Sequence, residues 1–131
     1  MGAPDAPVSL HTEGVELQAA VHFRLRINRG EEIAIGPGKI ALLEAIIEAG
    51  SINAAAKRMN MSYRRAWLLV DAMNRSLKQP VVETAIGGTH GGGTVVTAGG
   101  QKVIRLYRKI ERDATRVAAK DLARLTRMLA G

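Results

Sequence analysis

Cysteine is absent from the 131 residues, which excludes disulfides, thiol catalysis and cysteine-ligated zinc. Aromatic side chains are scarce, at 3% of the chain against 47% apolar residues in all. Nowhere do 18 apolar residues follow one another, so no membrane-spanning helix is expected. The first twenty residues lack a basic start and a long apolar run, so they do not read as a signal peptide, and a cytoplasmic protein is expected. The three histidines, His11, His22 and His90, are scattered without metal-ligand spacing, and neither a metal nor a cofactor is expected. No nucleophile–base pair or paired carboxylates stand out, which argues against an enzyme. Acids are outnumbered too. Nineteen lysines and arginines face twelve acids, for a formal charge of +7 and a pI near 10.4. What is present is one domain with a sizeable core and an attraction for polyanions.

The excess of positive charge is local. Residues 1–50 hold four basic and seven acidic side chains, whereas residues 51–80 hold six basic and one acidic. Residues 101–131 hold nine basic and three acidic. Solvated helix faces account for such charge in general, but in residues 51–80 it coincides with a motif.

Residues 1–13, with two prolines and small polar residues, read as a loose tail, and residues 1–20 as flexible. His22–Ile27 alternates apolar and polar residues as a half-buried strand does. Asn28-Arg29-Gly30 supplies a turn, and Ile33 with Ile35 suggests a return strand. Pro37 suits the first turn of a helix, Ile40, Leu43, Ile46 and Ile47 would share its apolar face, and Gly50 would end it. Gly36-Pro37-Gly38-Lys39 is reminiscent of a phosphate-binding loop, but Ile40 stands where that loop needs serine or threonine, and the motif is rejected.

Ser51 can cap a second helix running to Met59, and Asn60 tolerates the left-handed geometry of a sharp turn. Ser62 can cap a third helix with Ala66, Leu69, Val70 and Met73 inward and Trp67 in the core or hinge, ending at Gln79-Pro80. Val81–Ile86 and Thr94–Thr97 read as strands joined by a glycine-rich tip over residues 87–93. Thr97 can cap a final helix, in which apolar residues recur from Val103 to Leu129 in the three/four alternation of a coiled-coil seam. A single helix of about 28 residues would be roughly 40 Å long. A second copy of the chain is its natural cover.

The fold class expected is therefore mainly α with a small β component: a winged helix-turn-helix with a long C-terminal dimerisation helix. The domain would span residues 21–98 and the dimerisation helix residues 99–131. In such a fold the second helix of the pair enters the major groove and reads base edges from its N-terminal end. Ser62, Tyr63, Arg64 and Arg65 occupy that end, and arginine can make two hydrogen bonds to guanine. Ser51, Lys57 and Arg58 are candidates for phosphate contacts that set register without reading sequence. Tyr63 can stack on the sugar wall or pack beneath the wing. At the wing tip, Thr89, His90 and Gly91 are the candidate backbone contacts. Val103, Tyr107, Ile110, Val117, Leu122 and Leu125 are the candidate dimerisation residues.

At Gly50-Ser51-Ile52-Asn53-Ala54-Ala55-Ala56, Met61-Ser62-Tyr63-Arg64-Arg65-Ala66-Trp67 and Asp71-Ala72-Met73-Asn74-Arg75, the chain resembles the DNA-binding domain of the ModE family of molybdate-responsive transcriptional regulators. The likeness continues through Val82–Gly88, Gly91–Gly93 and Val96-Thr97, and covers about residues 25–112. It departs at Asn60, where many relatives have glycine, and at Thr89-His90, where the wing tip is typically basic. The resemblance implies a regulator that binds double-stranded DNA. Family members that sense molybdate do so in C-terminal β-barrel domains, so for this chain the resemblance leaves three readings: a separate molybdate-sensing partner, a site at the dimer interface, or a different effector. Two other functions compete: an oxyanion-binding protein, and a non-specific DNA-packaging protein.

Overall fold

The computed structural model describes residues 8–12, 15–85 and 93–131 of the chain. Three antiparallel hairpins frame five helices in the order ββββαααββαα. β1 (Val8–Thr12) pairs with β2 (Val15–Val21), so regular structure begins inside the segment expected to be a tail. The signal was legible: Val8, Leu10, Val15 and Leu17 alternate with polar residues, the period of a strand.

The strand expected at 22–27 forms further along. β3 is Ile27–Arg29 and pairs with β4 (Glu32–Ile35), while residues 22–26 run without strand pairing. The turn also moves, to Gly30-Glu31, because Gly30 supplies the positive φ (63°) that a two-residue hairpin needs at its first position.

α1 (Pro37–Ala49) is the central helix. Pro37 occupies the first turn, and Gly50 ends the helix in the left-handed conformation, its N–H reaching the Ile46 carbonyl at 2.8 Å. Ile40, Leu42, Leu43 and Ile46 are completely enclosed, each contributing about 1.5–3 kcal/mol of burial. Ile47, expected on the inward face, is 51% exposed. Leu42 takes the inward place instead, because elements pack on more than one side of this helix.

α2 (Ile52–Arg58) and α3 (Tyr63–Ser76) complete the three-helix core through Ile52, Ala55, Ala56, Ala66, Val70 and Met73. β5 (Val82–Ala85) and β6 (Gly93–Val96) close it with Val82 and Val96. α4 (Ala98–Val117) begins at Thr97, whose Oγ1 accepts the Gly100 N–H at 3.0 Å and donates to the Pro80 carbonyl at 2.7 Å.

α4 is tied to the core by a half-buried fork. Arg108 donates to both carboxylate oxygens of Glu44, at 3.2 and 2.5 Å, and to Glu111 at 2.7 Å. Burial alone would lower the Arg108 pKa, but the hydrogen bonds to Glu44 and Glu111 outweigh it and leave it raised. Tyr107 is buried beside it and donates its hydroxyl to the Leu25 carbonyl at 2.8 Å.

The final helix is not continuous. It breaks at Ala118, and α5 (Ala119–Thr126) follows, close to β1. Thr115 donates its hydroxyl back to the Glu111 carbonyl at 2.9 Å, the kind of bond that bends a helix just before such a break.

Candidate nucleic-acid interface

Two capped helices and one left-handed residue build the candidate site. Ser51 Oγ accepts the Ala54 N–H at 3.0 Å and starts α2. At its other end the Met61 N–H closes on the Ala56 carbonyl, and Asn60 takes φ 55° to turn the chain. Ser62 Oγ then accepts the Arg65 N–H at 3.0 Å and starts α3. Each serine satisfies an N–H that the helix leaves open, worth about 1 kcal/mol.

The helix so started is two-faced. Ala66, Val70, Ala72 and Met73 are buried, whereas Ser62, Tyr63, Arg64 and Arg65 are exposed in its first turn. Lys57 and Arg58 are exposed at the end of α2, where Arg58 also pairs with Glu48 at 3.3 Å. The cations expected to act together thus lie on consecutive elements joined by one tight turn.

Trp67, expected in the core or hinge, is 47% exposed, because the inward positions belong to Ala66, Val70 and Met73. With Tyr63, Arg64 and Leu68 it lines an open hollow of about 370 Å³ on the outer surface of α3. Tyr63 is likewise exposed rather than tucked against the fold. Both rings are open to solvent, and exposed rings of this kind can stack on a base or sugar.

The β5–β6 hairpin is held to α3 by a residue whose part the sequence did not disclose. Asn74 accepts the Val81 N–H at 2.8 Å through Oδ1 and donates from Nδ2 to the Val82 carbonyl at 3.1 Å. One amide side chain therefore sets the hairpin root against the end of α3. Cross-strand partners run from Val82 with Val96 to Ala85 with Gly93. Thr89, His90 and Gly91, the candidate tip contacts, lie outside the described residues.

The six candidate dimerisation residues divide. Val103 packs on the protomer's own core and Tyr107 is buried, so both serve the fold itself. Ile110, Val117 and Leu125 are exposed and Leu122 is half-buried. Leu129, the last residue of the expected seam, is exposed as well, and so are Leu106 and Met128. No group of histidine, aspartate or glutamate able to hold a metal occurs among the described residues, and no helix of the described residues is long and apolar enough to cross a membrane.

Known proteins share this arrangement. Residues 38–101 match the family described as bacterial regulatory helix-turn-helix protein, lysR family. A molybdenum-pterin-binding protein, MopB of Rhodobacter capsulatus, is 49% identical over 77 residues, covering 59% of this chain and 28% of the relative. The molybdenum transport protein ModE of Azotobacter vinelandii is 39% identical over 94 residues, covering 70% of this chain and 35% of its own. The DNA-binding transcriptional dual regulator ModE of Escherichia coli K12 is 37% identical over 91 residues, covering 70% and 34%. The chain thus spans about a third of the length of these relatives. Among solved structures, a CbnR DNA-binding domain in complex with DNA aligns with a TM-score of 0.51 at 25% identity, covering 67% of this chain and 95% of that one. Residues 38–101 thus carry the match to the bacterial regulatory helix-turn-helix family of the LysR type, and over 59–70% of its length the chain is similar to ModE and Mop proteins.

Proposed function

We propose that this chain is a transcriptional regulator that binds double-stranded DNA in a sequence-specific manner and is linked to molybdenum. The observation that carries the reading is the first turn of α3. Tyr63, Arg64 and Arg65 are exposed there on a helix whose opposite face is locked into the core. Beside them Lys57 and Arg58 close α2. Arginine side chains at a helix start reach base edges, and the neighbouring cations hold phosphates and set the register. The link to molybdenum rests on the names of the ModE and Mop relatives.

The regulator works as a homodimer and reads an inverted repeat. Support comes from the apolar residues left exposed on α4 and α5, above all Ile110, Val117 and Leu125. Two copies paired across that surface would present two reading helices related by a two-fold axis, which an inverted repeat mirrors. The β5–β6 hairpin acts as the wing along the backbone.

A duplex-binding assay with the full chain tests this at several salt concentrations. A specific regulator holds its preferred site far more tightly than scrambled DNA at every salt. Equal affinity for all sequences, with only a steep salt dependence, would make it a packaging protein instead. Heat on titrating molybdate into the free chain would favour the oxyanion-binding reading.

A further inference from the structure

A cleft of about 280 Å³ opens between the segment leading into β3, the start of α1 and the inner edge of α3. Arg24, Arg26, Lys39 and Arg65 line it together with Gly36 and Gly38, and no acidic side chain does. Lys39 is 8% exposed, a nearly buried ammonium in the cleft wall. It donates to the Ile33 carbonyl, and no carboxylate pairs with it among the described residues. A buried cation is costly without a counter-charge, and an ammonium has three donors where a single carbonyl accepts one. An anion in the cleft supplies what the protein leaves out.

The walls are set for that. The Cγ of Arg26 lies 3.6 Å from where a Cβ on Gly36 would stand, so the arginine stem runs along the glycine. A Cβ on Gly38 would meet nothing within 4 Å, which leaves the floor open. The hydroxyl of Tyr107 holds the segment between Arg24 and Arg26 through the Leu25 carbonyl. Arg65 belongs to the cleft and to the first turn of the reading helix alike.

We propose that this cleft is a phosphate notch, which takes one backbone phosphate of the DNA beside the bases read by α3. The proposal rests on the DNA-binding reading above and adds Arg26 and Lys39 to its contacts. The charge, the openness and the shared Arg65 favour a phosphate of the duplex, although a free phosphate ion has the same chemistry.

Two variants of the full chain test the notch against a preferred duplex. Gly38→Asp puts a negative charge into open space, in a first helical turn where an acid favours the helix, so folding is retained. Its affinity should fall about tenfold or more, equally for preferred and scrambled duplexes. Arg26→Ala should make the salt dependence shallower by about one ion per protomer. A neutral methylphosphonate placed at the contacted phosphate should weaken the wild type and weaken Arg26→Ala less. Thermal melting monitors the fold of each variant.

Wild-type affinity and salt slope in both variants, with base preference still lost in Arg65→Ala, would remove the notch and leave the DNA reading intact. A wild type that binds no duplex would overturn both. If inorganic phosphate saturated the Gly38 amide resonance at sub-millimolar concentration while DNA left it unmoved, the site would belong to a free oxyanion and the notch would fall.

Discussion

At the scale of single residues, the arginines at the start of α3 separate reading from gripping. Arg65→Ala should cost about 1–3 kcal/mol on the preferred site and relax the choice of base at one position. Lys57→Ala should weaken preferred and scrambled duplexes alike, because a phosphate contact carries no sequence information. Competition binding with single-position variants of the site distinguishes the two, and equal loss of base preference in both would merge their roles. Asn74 makes a different prediction. Asn74→Ala leaves the Val81 N–H and the Val82 carbonyl without their partner and should destabilise the chain by about 1–3 kcal/mol, measured by denaturant unfolding. Both serine caps and the left-handed Asn60 were legible in the sequence, since capping and turning depend on residue type and spacing alone. Asn74 was not, because its partners sit seven and eight positions away and depend on how the hairpin docks. The burial of Lys39 has no signal in the sequence, for it depends on where β4 lies beside α1.

At the scale of elements, glycine decides the joint between the wing and α4. A Cβ on Gly100 would stand 2.4 Å from the Val81 carbonyl oxygen and 2.7 Å from Val96 Cγ1. Backbone cannot give way cheaply there. Gly100→Ala should therefore destabilise the fold by about 1–3 kcal/mol, even though alanine is the better helix former. A melting temperature at or above wild type would contradict that close approach. The three core helices and the wing strands were readable from periodicity, because their apolar faces are buried in the same protomer. Three features escaped it. The alternation over residues 22–27 suggested a strand, but pairing is set by the turn, and the left-handed Gly30 places that turn three residues past Ile27. The β1–β2 hairpin carries its alternation in the sequence, but two prolines nearby point to a tail. The apolar repeat ran unbroken across Ala118, while the helix breaks there without any proline or glycine to announce it.

At the scale of the whole molecule, the apolar repeat after residue 102 serves two ends. Its first part packs inward through Val103 and Tyr107, and its later part points outward, with Val117 83% exposed. Val117→Glu combined with Leu125→Glu should therefore leave the protomer folded and halve the mass in solution, as read by sedimentation equilibrium. An unchanged mass would contradict a dimer paired across this face. Periodicity alone could not divide the repeat, because inward and outward positions on one helix carry the same residue types. The most direct test of the central claim is selection of bound duplexes from a random DNA pool at near-physiological salt. A dimeric reader with arginines at two helix starts should enrich an inverted repeat containing guanine, and Arg65→Ala should blur one position in each half. A pool that stays random, with every duplex held alike, would contradict sequence-specific binding by this chain.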